Sequence, residues 1–200
     1  MATRAAPLNW PRTLVARGAG ALRNEHLRRQ PTEARSGSLH CFVLDCSASM
    51  LAQGRLARAK GLLLDLMAEA YRRREQVALL CFAGNTVELR LPPRRPAAWN
   101  DGWVAPIAGG GGTPLALAVA RAAQLLQRSP AQRRWLWLLT DGRSREAPER
   151  PAAAEMACVV DFEGPRAPLR RAEALAQAWR AQYWQADVPA FTNIPGSRKY

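Results

Sequence analysis

The chain has 200 residues, 48% of them hydrophobic, with a formal net charge of +13. That length and apolar content support one folded domain with a real core, and no apolar run approaches the roughly 20 residues of a membrane-spanning helix. The basic excess is almost wholly arginine, since Lys60 and Lys199 are the only lysines; it is scattered and lacks aromatic-interleaved or zinc-ligand motifs, which argues against nucleic acid and for an acidic protein partner.

In chain order, residues 1–37 contain Pro, Gly and Arg with little periodicity. They are expected to form an N-terminal extension, partly helical around Leu14, Val15, Leu22 and Leu27. The main domain is placed at 38–187. Its first buried strand is the apolar run 39–44, and an amphipathic helix is expected over 55–73, with Leu56, Ala59, Leu63, Leu66, Met67 and Ala70 at three-and-four spacing. A second buried strand follows at 77–82, a turn at Ala83-Gly84-Asn85, and a half-exposed edge strand at 86–90. The proline-rich stretch 92–102 is read as a loop. Thr113-Pro114 opens the next helix, with Thr113 as cap and Pro114 at the first helical position; that helix ends near Gln127. Strands are expected at 135–140 and 156–162, a helix at 168–182, a brief strand at 183–186, and a tail at 188–200. Strands alternating with helices imply an α/β fold with a mostly parallel sheet covered on both faces.

Chemistry collects where three of these elements end. Asp45-Cys46-Ser47-Ala48-Ser49 closes the first strand, Gly109-Gly110-Gly111-Gly112-Thr113-Pro114 precedes a helix, and Thr140-Asp141-Gly142 closes a later strand. Five oxygen side chains from three loops, Asp45, Ser47, Ser49, Thr113 and Asp141, read as a site for a hard divalent cation. Mg²⁺ favours oxygen ligands at about 2.0–2.1 Å and keeps several waters. Ligand sites in open α/β sheets also gather at the carboxyl ends of strands. Taken singly, Asp45 and Ser47 fit an Asx-turn or a helix cap, Thr113 an N-cap, and Asp141-Gly142 an ordinary turn.

The Asp-x-Ser-x-Ser motif, the distant Thr after a glycine run and the strand-ending Asp resemble the metal-ion-dependent adhesion site of von Willebrand factor A (integrin I-like) domains. Phe42-Val43-Leu44-Asp45, Gly112-Thr113-Pro114-Leu115-Ala116 and Leu139-Thr140-Asp141-Gly142-Arg143 further resemble the C-terminal domain of magnesium-chelatase D subunits and related cobalt-chelatase subunits. Ala48 stands where that family usually carries glycine, so a locally re-shaped loop is expected. The resemblance implies a Rossmann-like three-layer sandwich with one antiparallel edge strand. It implies Mg²⁺, with Mn²⁺ as a substitute, bound through Ser47, Ser49 and Thr113, with Asp45 and Asp141 close by and partly acting through water.

It also implies a non-catalytic subunit of an ATP-driven chelatase that inserts Mg²⁺ or Co²⁺ into a tetrapyrrole, as in cobalamin synthesis. Such a subunit couples an AAA+ ATPase to the large catalytic subunit, and an acidic side chain of the partner completes the metal shell. The alternative is an adaptor of a MoxR-like ATPase that acts as an assembly or metal-insertion chaperone for another enzyme. No phosphate-binding loop ending in Gly-Lys-Ser/Thr is present, so the chain is not expected to hydrolyse ATP; nor is a Ser-His-Asp or Cys-His set evident.

The remaining features have plainer readings. Cys41, Cys46, Cys81 and Cys158 form no C-x-x-C pair and are expected as buried free thiols. With no signal-peptide pattern in the first 14 residues, a cytoplasmic location is expected. His26 and His40 are read as structural, Trp135 and Trp137 as core, and Trp99 and Trp103 as candidates for an exposed contact. Arg143 and Arg145 put positive charge near the proposed cation, and 72–75 reads as a solvated helix end.

Overall fold

The computed structural model describes residues 10–18, 20–27, 37–95, 113–165 and 168–186, with side chains for all but 10–12. Trp99, Trp103, the glycine run 109–112 and the tail 188–200 lie outside the described residues. The chain divides into two compact units, Met1–Ser36 and Gly37–Tyr200. The first carries helix α1 (Trp10–Arg17) and a 3₁₀ turn at Asn24–His26, with Leu14, Val15 and Leu22 exposed.

In the second unit the apolar runs become strands whose alternate residues feed two cores. The strands are β1 (Ser38–Asp45), β2 (Gln76–Ala83), β3 (Thr86–Arg94), β4 (Arg133–Thr140), β5 (Met156–Asp161) and β6 (Gln182–Gln185). Phe42, Leu44, Leu79, Cys81, Trp137, Leu139 and Val160 pack on one face beneath helix α3 (Arg55–Arg72). Cys41, Val43, Leu80, Phe82, Leu136, Leu138 and Val159 pack on the other beneath α4 (Leu115–Arg128) and α5 (Arg171–Trp179). A strand with both faces buried must be apolar at nearly every position, and β1 is buried throughout. The result is the expected three-layer α/β sandwich.

The sheet order is β3-β2-β1-β4-β5-β6. Every pairing is parallel except β2 with β3. The chain moves from β1 to β2 on one side and later returns to place β4 on the other side of β1. The topological switch point therefore lies between β1 and β4, where open α/β sheets form a crevice at the strands' carboxyl ends.

Several boundaries differ from expectation for physical reasons. β3 runs on through Leu91, Pro92 and Pro93 to Arg94; it is an edge strand, where proline's missing N–H costs no ladder bond, and its register shifts opposite Val77 and Leu79. The last helix starts at Arg171, not at 168. Glu163 accepts the backbone N–H groups of Leu169 (2.7 Å) and Arg170 (2.9 Å), and Arg170 sits at φ +54°. Residues 72–75 are more than a solvated helix end: Arg72 and Arg73 pair with Glu69, and Glu75 accepts a hydrogen bond from His40 at 2.9 Å.

His40, Trp135 and Trp137 occupy the core as expected. Trp135 stacks on His40 with centroids 5.7 Å apart, and Trp137 meets Trp184 edge-on at 5.7 Å. All four cysteines are free and buried. Among the described residues, no helix is long and apolar enough to cross a membrane.

Candidate metal centre

The strand register brings the site's acidic residues to neighbouring positions at one sheet edge. Leu44 pairs with Leu139, and Thr140 with Asp161, so Asp45, Thr140 and Asp161 end three adjacent strands in a row. Thr140 Oγ1 donates to Asp45 Oδ2 at 2.7 Å. The other oxygen, Oδ1, accepts the Ser47 N–H at 2.9 Å, which is an Asx-turn. Asp45 and Asp141 are both fully buried, and Asp161 nearly so. Burial pushes the Asp45 carboxyl above its ordinary range, the hydrogen bonds from Ser47 and Thr140 oppose that, and the Asp141 charge adds to it. Burial likewise raises Asp161, against bonds from the Glu163 N–H and Tyr183 hydroxyl.

The Asp-x-Ser-x-Ser segment does not continue as an open loop. Ser47 stands at the N-cap position of a short helix, α2 (Ala48–Leu51), yet its side chain makes no capping bond. Instead Ser47 Oγ lies 3.1 Å from Ser49 Oγ. Two cis ligands on an octahedral ion at about 2.1 Å stand about 3.0 Å apart, so the hydroxyl pair has the spacing that Mg²⁺ or Mn²⁺ needs. Ala48 is helical and is not among the positive-φ residues. The backbone there is one that any residue adopts, so a Cβ is tolerated.

Thr113 does not cap α4. Pro114 is the N-cap residue and lacks a side-chain bond, while Leu115 N–H bonds the Thr113 carbonyl at 2.8 Å. The cap comes from 30 residues away: Glu146 Oε2 accepts the Ala116 N–H at 2.6 Å. Ser144 Oγ donates to the Thr113 carbonyl at 3.3 Å, tying the start of α4 to the segment after Asp141. The Thr113 hydroxyl is thus not spent on the helix end.

Two residues outside the expected set complete the picture. Thr140 orients Asp45, and its hydroxyl also accepts the Gly142 N–H at 3.1 Å. Arg55, at the first turn of α3, is buried and donates through Nη1 to Asp141 Oδ2 at 3.3 Å and to the Ser49 carbonyl at 3.2 Å. Its signal was present in the sequence: Arg55 falls in register with Ala59, Leu62 and Leu66 on the buried helix face. Arg143 also faces Asp141, with Nε 3.8 Å from Oδ2.

Among the described residues no three His, Cys, Asp or Glu side chains converge as metal ligands; the candidate residues are two carboxylates and three hydroxyls. A cleft of about 320 Å³ opens beside the strand ends, lined by Thr140, Gly142, Ser144, Arg145, Leu115 and Leu175.

The family profile described as von Willebrand factor type A domain matches residues 41–143. A magnesium-chelatase 60 kDa subunit of Cereibacter sphaeroides is 44% identical over 108 residues, which cover 53% of this chain and 19% of that protein. An uncharacterised protein of Mycobacterium tuberculosis is 39% identical over 163 residues, covering 73% of this chain and 26% of its own length. The chain thus spans about a fifth to a quarter of these relatives. Among solved structures, the SpRpn10 VWA domain superposes with a TM-score of 0.56 at 11% identity, covering 74% of this chain and 87% of that one; this likeness concerns the fold.

Proposed function

The chain belongs to the von Willebrand factor type A domain family, and from that premise we propose that it is a metal-dependent interaction subunit of an ATP-driven metallochelatase. The observation that carries the reading is the hydroxyl pair of Ser47 and Ser49, 3.1 Å apart, with Ser47 Oγ free of capping duty, just after the buried Asp45 at the carboxyl end of β1. The similarity to magnesium-chelatase subunits supports the chelatase context.

Ser47 and Ser49 would hold Mg²⁺ or Mn²⁺ together with Thr113, with Asp45 and Asp141 beside them. When bound, the ion supplies an electrophilic coordination position that an acidic side chain of a partner can complete. The chain's own residues prepare that encounter. Thr140 and the Ser47 N–H hold Asp45 in place, Ser144 ties Thr113 to the post-β4 segment, and Arg143 and Arg145 present positive charge at the exposed rim. Complementary charge steers an acidic partner surface toward such a rim. The partners on this reading are an AAA+ ATPase subunit and a large chelatase subunit, and this chain transmits the motor's cycle without catalysing it.

The test is binding of the purified chain to both candidate subunits from its own organism, with Mg²⁺ and with EDTA. Binding in Mg²⁺ that EDTA and Asp45→Ala each abolish supports the reading. Binding indifferent to both would discard it.

A further inference from the structure

Arg55 carries an inference that deepens, and rests on, the metal-centre reading. We propose that Arg55 is a tethered counter-ion for Asp141 that holds down the site's own affinity for a divalent cation, making firm metal binding conditional on a carboxylate from outside the chain.

The guanidinium is fixed in place. Arg55 is only 7% exposed. Nη1 donates to Asp141 Oδ2 (3.3 Å) and to the Ser49 carbonyl (3.2 Å), and Nη2 donates to Gln53 Oε1 at 3.0 Å. A Cβ on Gly164 would stand 3.6 Å from Nη2, so the segment after β5 passes close to it. Nε is buried without a hydrogen-bond partner among the described residues. Gln53, which orients the fork, is itself held at φ +56°.

Asp141 is fully buried, and both its oxygens face positive or N–H donors. Oδ2 faces Arg55 and Arg143, and Oδ1 accepts the Arg143 N–H at 3.3 Å. Its charge is therefore met before any ion arrives. Arginine stays protonated at all ordinary pH, so deprotonation offers no relief. A nearby fixed positive charge disfavours a second cation. Ser49 joins the two parts of the device: its carbonyl anchors Arg55 while its hydroxyl faces Ser47. Of the two buried carboxylates at the site, only Asp45 is then left to attract the ion, and a partner carboxylate supplies what Arg55 has cancelled.

The experiment measures Mn²⁺ affinity by EPR titration of the full chain, with Mn²⁺ alone and with added acetate as a carboxylate probe. Arg55→Met removes the charge at similar length and is expected to bind Mn²⁺ at least about tenfold more tightly than wild type, with a smaller gain from acetate. Arg55→Lys keeps the charge and should stay within about threefold of wild type. Near-UV circular dichroism establishes that each variant is folded.

If Arg55→Met does not fold, Arg55→Gln decides: a gain in Mn²⁺ affinity of about tenfold or more supports the proposal, and a smaller gain or none overturns it. Arg55→Met that binds no more tightly also overturns it, while Asp45-dependent binding in wild type leaves the metal centre standing. Absence of Mn²⁺ binding in every variant would bring down both.

Discussion

Thr140 Oγ1 donates to Asp45 Oδ2 at 2.7 Å while accepting the Gly142 N–H at 3.1 Å. One hydroxyl thereby fastens the end of β1 to the turn that carries Asp141. Burial raises the Asp45 carboxyl, and this bond works in the opposite direction. Thr140→Val preserves shape and removes both interactions. Hydrogen bonds to charged groups are worth about 1.5–3 kcal/mol, so urea unfolding at pH 7 should show a loss of about 2 kcal/mol. Unchanged stability would mean that Asp45 finds another donor.

The hydroxyl pair yields a second expectation. A ligand that binds only the native state stabilises it by about 1.4 kcal/mol at tenfold excess over its Kd, which is roughly 3–6 °C in Tm for a domain of this size. Mg²⁺ should raise Tm by that amount in thermal melts, and EDTA should reverse it. Ser47→Ala and Ser49→Ala should each remove the increment; Ser49→Ala should leave the melt without metal within about 2 °C of wild type, whereas Ser47→Ala also loses a side-chain bond to the Asp45 carboxyl and should melt lower. A metal increment that survives both substitutions would place the ion elsewhere.

Much of this was legible in the sequence because it depends on local pattern. The apolar runs at 39–44, 77–82 and 135–140 announce strands buried on both faces, and Asp45 and Asp141 mark where two of them stop. What the sequence hid is non-local. Nothing near Thr113 discloses that Glu146 caps α4 from 30 residues away, so Thr113 looked like the cap. Pro92 and Pro93 read as loop because nothing local shows that the edge strand continues through them to Arg94. Arg55 is a middle case: the phase of the buried helix face marks it as buried, but only the fold places it beside Asp141.

At the opposite edge of the sheet, a pH dependence follows from the His40 network. Trp137 Nε1 donates to His40 Nδ1 at 3.1 Å, which leaves Nε2–H to donate to Glu75 at 2.9 Å. Burial raises the Glu75 carboxyl, but the hydrogen bonds from His40 and Ser38 and the Arg73 charge outweigh it and bring it below its ordinary 4.5. A depressed carboxyl contributes stability above the unfolded-state value and loses it as pH falls through the folded-state value. Glu75→Gln should therefore cost about 1 kcal/mol at pH 6–7. The difference from wild type should shrink as pH falls below 4.5. A difference constant from pH 7 to 3 would assign the effect to packing.

Gly142, directly after Asp141, gives the last prediction. It sits at φ +66°, and a Cβ there would stand 2.9 Å from the Ala172 backbone nitrogen and 3.1 Å from the Ala172 Cβ. The obstacle is backbone at the start of α5, so it cannot rotate away. Left-handed conformation costs a non-glycine residue roughly 1–2 kcal/mol, and overpacking typically adds 1–3 kcal/mol. Gly142→Ala should lose about 2–5 kcal/mol in denaturant unfolding on these two grounds. Any relaxation must move α5 or the Asp141 turn, so Mg²⁺-induced stabilisation should weaken as well. If stability falls while the metal increment persists in full, the strain is taken up by α5 alone, and the bonds from Thr140 and Arg55 hold the Asp141 turn in place.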